Sequence, residues 1–286
     1  METPVSELAK RRYSCRRYLD RPLSEAHRKA VEDSLASIDK GPSGNRCRFA
    51  LIASTPGDME ALKGLGTYGF IRNAAGFIVG AVRPAPGDME DCGYCLERTV
   101  MDITGLGLGT CWLGGTFTRS SFARRISIRA DEVIPAVIAV GYPSEKSPEH
   151  WMRRMASGNR RLPSERLFFD GDPDSPLDIS QVGDLAQVLE VVRWAPSASN
   201  KQPWRLVRSG DAWHFFLERT SNPHKRGAHS LIKMEDVQRV DMGIAMCHFD
   251  LAAREVGMDG HWSFETPEDP GLWADKWEYT ASWVAS

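Results

Sequence analysis

Two short stretches of the chain combine residue types that can bind a ligand. Arg12-Tyr13-Ser14-Cys15-Arg16 sets two guanidinium groups and a hydroxyl at alternate positions. On an extended backbone, alternate side chains project to one side. Guanidinium forks suit phosphate, or the oxygen-rich edge of a heterocycle, because they bind through paired hydrogen bonds. The second stretch is the loop Ala195-Pro196-Ser197-Ala198-Ser199-Asn200-Lys201-Gln202-Pro203-Trp204. A shorter, altered version, Gly41-Pro42-Ser43-Gly44-Asn45-Arg46-Cys47-Arg48-Phe49, lies near the N-terminus. Each version is followed by a small-residue helix ending in Trp, Asp102 to Trp112 and Ala252 to Trp262. Pro42 to Trp112 spans 70 positions and Pro196 to Trp262 spans 66, so the chain carries an internal duplication. One copy of the loop is kept and the other is worn, which predicts one active site and one scaffold.

Other chemistries lack their residue sets. The 7 histidines, His27, His150, His214, His224, His229, His248 and His261, are scattered and form no Ser-His-Asp or Cys-His constellation. Cys92-Gly93-Tyr94-Cys95 is a lone C-x-x-C with no second pair and no histidine at ligand spacing, so no metal site is expected and the two thiols read as packed or redox-inert, with a thioredoxin-like pair as the unsupported alternative. Gly105-Leu106-Gly107-Leu108-Gly109 falls at a helix exit, where the dipole has the wrong sign to cradle a pyrophosphate.

The bulk numbers narrow the class. At 286 residues the chain is long enough for one large domain or two smaller ones with a real core. A net charge of -2 implies no general attraction to nucleic acid or to a membrane surface. The arginine pairs Arg11-Arg12, Arg16-Arg17, Arg124-Arg125, Arg153-Arg154 and Arg160-Arg161 read mostly as solvated faces. No apolar run reaches membrane-spanning length, and no apolar segment follows the N-terminal charges as in a secretory leader. With 6 irregularly placed cysteines, a reduced, cytoplasmic setting is expected.

The elements that must position the two stretches are legible in outline. Val5 to Arg12 reads as a short helix. Ser24 is an N-cap for a helix through Ile38, because its hydroxyl accepts a free backbone N–H. Phe49–Ala53 and Gly76–Val82 read as strands, the second apolar on both faces and therefore central. A long helix runs from Asp88 to Gly105, and Val133 to Val140 is a third strand closed by Gly141-Tyr142-Pro143. Ser144 to Asp178 reads as an arm between halves. The second half restarts with a helix from Ile179 to Trp194, strands at Trp204–Val207 and Trp213–Glu218, and a helix from Met234 to Val256. The tail holds Trp273, Trp277 and Trp283, which read as packing residues.

Five segments together resemble the FMN-dependent nitroreductase family, in its tandem subgroup where two subunits are fused into a pseudo-dimer. They are Arg12-x-Ser14-x-Arg16, the Pro196-Ser197-x-x-Asn200-x-Gln202-Pro203-Trp204 loop, Gly107 to Gly115, Gly141-Tyr142-Pro143, and Arg160-Arg161-Leu162-Pro163. The resemblance implies an α+β fold of mainly antiparallel sheets flanked by helices. Residues 1–170 would form the first half with its connecting arm, residues 171–286 the second, and both one compact unit able to stand as a monomer. It also implies FMN as cofactor, with Arg12 and Ser14 at the phosphate and ribityl chain, Arg16 at the pyrimidine edge, and Arg161, assisted by Arg160, on the phosphate. Leu113-Gly114-Gly115 would present a backbone N–H to flavin N5, and Pro196, Ser197, Ala198 and Asn200 would cover the ring from the other half. A cation at the pyrimidine edge stabilises reduced flavin. NAD(P)H would be the hydride donor, and a nitroaromatic, quinone or similar small molecule the acceptor, chosen by Thr67-Tyr68-Gly69-Phe70 or the His224 to Met234 stretch. The second half lacks an Arg-x-Ser-x-Arg and the first lacks the Gln-Pro-Trp tail, so one FMN per chain is expected. The rival readings are a flavin-consuming or dehalogenating relative of the same fold, and an idle flavin-binding module.

Overall fold

The computed structural model describes residues 3–53, 62, 65, 67, 69–115, 117–144, 160–220, 236–267 and 276–286. Helix α1 (Val5–Arg11) is followed by α2 (Glu25–Ser37), which Ser24 caps by accepting the His27 N–H at 3.2 Å. Strands β1 (Cys47–Ala53) and β2 (Gly76–Val82) precede the long helix α3 (Asp88–Gly105). Strand β3 (Gly109–Leu113), helix α4 (Arg119–Arg125) and strand β4 (Val137–Gly141) complete the first half. The second half contains β5 (Phe168–Asp170), α5 (Leu185–Arg193), β6 (Trp204–Ser209), β7 (Ala212–Leu217), α6 (Val237–Glu255), β8 (Gly260–Ser263) and β9 (Glu278–Ala285).

The strands form two sheets, ordered β1-β2-β4-β3 and β5-β6-β7-β9-β8. Without β5 the two orders are the same, β1 matching β6, β2 matching β7, β4 matching β9 and β3 matching β8. All pairs are antiparallel except β5 with β6. The expected α+β architecture of duplicated halves is therefore present.

The halves meet through their long helices. α3 and α6 are buried along most of their lengths, and their contact is nearly symmetric. A methyl on Gly93 would overlap the Val240 carbonyl, and one on Gly243 would overlap the Glu90 carbonyl. Each residue of the second contact is 150 positions from its counterpart in the first. Only glycine lets the two backbones approach so closely. Polar groups cross the same seam. The Tyr94 hydroxyl donates to Asp250 at 2.6 Å, and Arg239 pairs with Glu90 at 2.6 Å. The main core joins one face of each sheet to α1, α2, α3, α5 and α6, and a second cluster covers the outer face of the first sheet.

Several sequence expectations need correction. The third strand begins at Val137, and Val133 makes only an isolated bridge to Val82. The expected helix from Ile179 breaks at Gly183, which is left-handed with φ 56°, into a single 3-10 turn and then α5. The connecting arm holds β5, which pairs in parallel with β6. The tail forms β9, in which Trp283 is buried, while Trp273 lies outside the described residues.

Candidate functional site

The Arg12–Arg16 segment leaves α1 with Arg12 already extended, at φ -61° and ψ 133°. It runs beside the outer edge of β3, where Ser14 makes a parallel bridge with Thr110 and the Cys15 N–H donates to the Thr110 carbonyl at 2.8 Å. It then crosses the start of β3, where a methyl on Gly109 would press on the Cys15 side chain. Arg16 is anchored there by its carbonyl, which accepts the Arg72 N–H at 2.9 Å. Arg12 is buried, whereas Ser14 and Arg16 are partly exposed.

The Pro196 loop is held in an uncommon backbone form. Ser199, Asn200 and Gln202 are all left-handed, with φ between 49° and 54°. Such residues persist only where their surroundings over-determine them. Here the Gln202 N–H donates to Ser197 Oγ at 2.8 Å, and the Ala198 N–H donates to both oxygens of Asp241 at 3.0 and 3.1 Å. Asp241 is buried on α6, and desolvation pushes its carboxyl well above the usual range.

The loop also captures the late arginine segment. Asn200 Nδ2 donates to the Arg160 carbonyl at 2.7 Å, and Gln202 Oε1 accepts the Leu162 N–H at 2.8 Å. Arg161 Nη1 donates to Asn200 Oδ1 at 2.5 Å and Nη2 to the Trp194 carbonyl at 3.0 Å, with the guanidinium 5.2 Å from the Trp194 ring centre. Its Nε is buried and has no partner among the described residues. Burial pushes the Arg161 guanidinium down to about 10, helped by the positive charges of Arg12 and Arg193. Of the residues expected at the site, Arg161 and Asn200 are thus in direct contact, and Arg12 acts on Arg161 through its charge. Arg160 turns an exposed side chain outward and contributes its carbonyl.

The Leu113-Gly114-Gly115 turn closes the arrangement. A methyl on Gly114 would lie 2.9 Å from Val237 Cγ1, at the first residue of α6. One turn later the same helix carries Asp241. The start of α6 therefore supports both the turn from the first half and the loop from the second. β3 is further fixed by Trp112, whose Nε1 donates to Glu97 at 2.8 Å. Glu97 also meets His248 Nε2 at 2.9 Å, both side chains being fully buried. Because Val191 O only accepts, at 3.0 Å from Nδ1, that nitrogen of His248 carries a proton.

The pseudo-symmetric location is built differently. The segment preceding α5, residues 166–170, runs along β6, on the edge opposite to that used by Arg12–Arg16 beside β3. The counterpart of the glycine turn reads Ser263-Phe264-Glu265, and its carbonyls at Ser263 and Glu265 accept the Tyr279 hydroxyl at 3.4 and 2.9 Å. The Pro42 loop is bound within the first half, to Asp91 and Pro86. Asp91 accepts the Ser43 and Asn45 N–H groups at 2.9 and 2.8 Å, and Asn45 Nδ2 donates to the Pro86 carbonyl at 2.8 Å.

Asp241, Glu97, His248 and Trp194 were missed in the sequence. Asp241 had a signal, because it stands 150 positions from Asp91 and both residues hold a Pro-Ser loop. The His224 to Met234 stretch and Tyr68 lie outside the described residues. A cavity of about 280 Å³ lined by Leu65, Ser121, Arg124 and Arg125 contains none of the candidate residues. Among the described residues, no group of three or more His, Cys, Asp or Glu side chains is arranged to hold a metal ion, and no helix is long and apolar enough to cross a membrane.

Comparison with known proteins places this geometry in a family. The family model described as "Putative TM nitroreductase" matches residues 5–253. A crystal structure from Thermotoga maritima, described as a "putative nitroreductase", covers 99% of this chain and 94% of its own at 19% identity, with a TM-score of 0.62. A structure from Desulfovibrio desulfuricans described as a "putative nitroreductase in complex with FMN" covers 53% of this chain and 96% of its own, at 23% identity and a TM-score of 0.40. A nitroreductase family protein from Clostridium difficile covers 55% of this chain and 92% of its own, at 21% identity and a TM-score of 0.42. No curated protein matches the chain.

Proposed function

This chain belongs to the nitroreductase family whose model spans residues 5–253, and from that premise we propose that it is an FMN-dependent oxidoreductase with one flavin site per chain. The observation that carries the reading is the buried Arg161 guanidinium, held by Asn200 and the Trp194 carbonyl. Burial, with a smaller push from the charges of Arg12 and Arg193, lowers it to about 10. Like charges in a partly dry setting are unfavourable alone and favourable around an anion. The buried Arg161 Nε adds a donor with no acceptor among the described residues. These residues fit the phosphate end of FMN.

When bound, FMN supplies two-electron transfer between a reduced nicotinamide and an oxidised acceptor. The chain's own residues bind, orient and shield. Arg12 and Arg161 would hold the phosphate, with Ser14 near the ribityl chain, and Arg160 would add charge from the rim. Arg16 would face the pyrimidine edge. At the Gly114-Gly115 turn, a backbone N–H would point at the reacting edge without a side chain to crowd it. The loop from Pro196 to Asn200, pinned by Asp241, would exclude water from the ring and fix its tilt. NADH or NADPH as donor, and a nitroaromatic, quinone or similar acceptor, complete the reading, with no nucleic acid or membrane required and the pseudo-dimer sufficient as a monomer in the cytoplasm.

The test is to load the purified chain with FMN and mix it anaerobically with NADH and with NADPH. The reading expects flavin absorbance to bleach with at least one donor and to return on adding a quinone or nitroaromatic. A chain that holds FMN but neither bleaches nor turns over with either donor would contradict it.

A further inference from the structure

Behind the glycine turn, three side chains from three elements share one hydrogen-bonded network. Glu97 stands on α3, His248 on α6, and Trp112 on β3, directly before Leu113-Gly114-Gly115. The Glu97 and His248 side chains are fully buried, and Trp112 is half-buried. Trp112 Nε1 only donates, so Glu97 Oε2 accepts from it at 2.8 Å. His248 Nδ1 donates to the Val191 carbonyl at 3.0 Å. That leaves Glu97 Oε1 and His248 Nε2, 2.9 Å apart, with one proton between them. Whether it sits on the oxygen or the nitrogen, the pair is neutral overall and each of its polar atoms has a partner. A buried network satisfied in this way fixes one arrangement of the elements that carry it. Val191 lies on α5, which leads into the Pro196 loop, so the network links the turn of the first half to the loop of the second.

The pseudo-symmetric position lacks this tie. Trp262 stands 150 positions after Trp112, and Cys247 stands 150 after Glu97. Trp262 Nε1 is buried with no hydrogen-bond partner among the described residues, and its ring is seated against Phe215 and Phe249, at centroid distances of 5.1 and 6.4 Å. A tryptophan at this point of the fold can therefore be held by packing alone. The carboxyl group stands only in the half that has the glycine turn. We propose that Glu97 and His248 are positioning residues. By holding Trp112 they set where the Gly114-Gly115 backbone stands. On the FMN reading given above, on which this inference rests, they aim its N–H at the reacting edge. A displacement of about 1 Å at such a point can cost about 100-fold in rate without weakening a grip made elsewhere.

The test compares two substitutions in the full chain. In Glu97→Gln the amide oxygen still accepts from Trp112 and the amide N–H donates to His248 Nε2, so the network survives. Glu97→Met has a similar length but leaves Trp112 Nε1 and His248 Nε2 without partners. Nuclear magnetic resonance of the flavin-free chain should show the Trp112 indole and the Gly114 and Gly115 amide signals displaced in Glu97→Met. In Glu97→Gln they should stay near their wild-type places. In the FMN-loaded chain, Glu97→Met should keep FMN affinity within about threefold while bleaching by NADH or NADPH slows about 10- to 100-fold, and Glu97→Gln should restore the rate. If Glu97→Met does not fold, Trp112→Phe cuts the same tie at its half-exposed end and is read through the glycine signals and the rate in the same way. Unmoved glycine signals or a wild-type bleaching rate in the cut variant would each overturn the proposal. So would a loss of FMN affinity matching the loss of rate, or a Glu97→Gln as slow as Glu97→Met. A wild-type chain that fails to bind FMN or to bleach would overturn the flavin reading instead, while the flavin-free spectra would still decide whether Glu97 places the turn.

Discussion

The two halves share one strand order and one helix crossing, yet they treat corresponding segments differently. In the first half, Arg12–Arg16 lies beside β3, whose far end carries the glycine turn. In the second, residues 166–170 lie beside β6 at the other edge of the sheet. The turn that reads Leu113-Gly114-Gly115 in one half reads Ser263-Phe264-Glu265 in the other and is tied down by Tyr279. The Pro196 loop reaches outward to hold Arg160 and Arg161, whereas the Pro42 loop bonds to Asp91 and Pro86. A duplicated fold thus keeps its packing symmetry at the seam while its site chemistry is divided. On the proposed reading, the first half would supply the grip and the second the cover.

The seam gives the largest expected effect. Gly93→Ala and Gly243→Ala each force a methyl into a backbone carbonyl, which should destabilise the chain by about 3 kcal/mol in each case. Thermal unfolding of both variants checks the symmetry. A large loss from one and none from the other would break it.

Flavin binding should separate the halves next. Arg161→Ala removes a charged donor that the proposed reading places on the phosphate and should weaken FMN binding about 10- to 100-fold, whereas Arg166→Ala, in the 3-10 turn before β5, should leave it unchanged. Fluorescence titration of FMN reads both. Asp241→Ala should also weaken binding by releasing Ala198, while Asp91→Ala should affect stability alone.

Acid sensitivity should sit in the first half. Arg48 pairs with Glu132, whose side chain is 4% exposed, and holds its carboxyl down at about 2 against an ordinary 4.5. The folded state favours the ionised form, so this stability is fully present above pH 4.5 and is lost as pH falls toward 2. Glu132→Gln should cost about 2 to 3 kcal/mol at neutral pH, and the gap from wild type should close near pH 2 in urea melts. A gap that stays constant with pH would show that the pair contributes little. The smallest effect is expected from Phe264→Gly. It restores a small residue at the turn of the second half and should add no second flavin, because residues 166–170 remain at the wrong edge.

Much of this was legible in the sequence because it follows from local signals. The Asp88–Gly105 helix, the doubly buried Gly76–Val82 strand and the Ser24 cap match the structure closely, since each rests on periodicity or on one hydrogen bond. β5 was not legible. It has three residues without alternation, and it exists only because β6 offers an edge. The contact of Arg161 with Asn200 and Trp194 required the connecting arm to dock on the second half. Glu97 and His248 look like ordinary helix residues until α3 and α6 cross and bury them together.

The most direct measurement is the molar ratio of FMN to polypeptide in the chain saturated with the cofactor and freed of excess. The account predicts a ratio near one. A ratio near two would show that the second half also builds a site, and a chain that retains no FMN would contradict the flavin assignment itself.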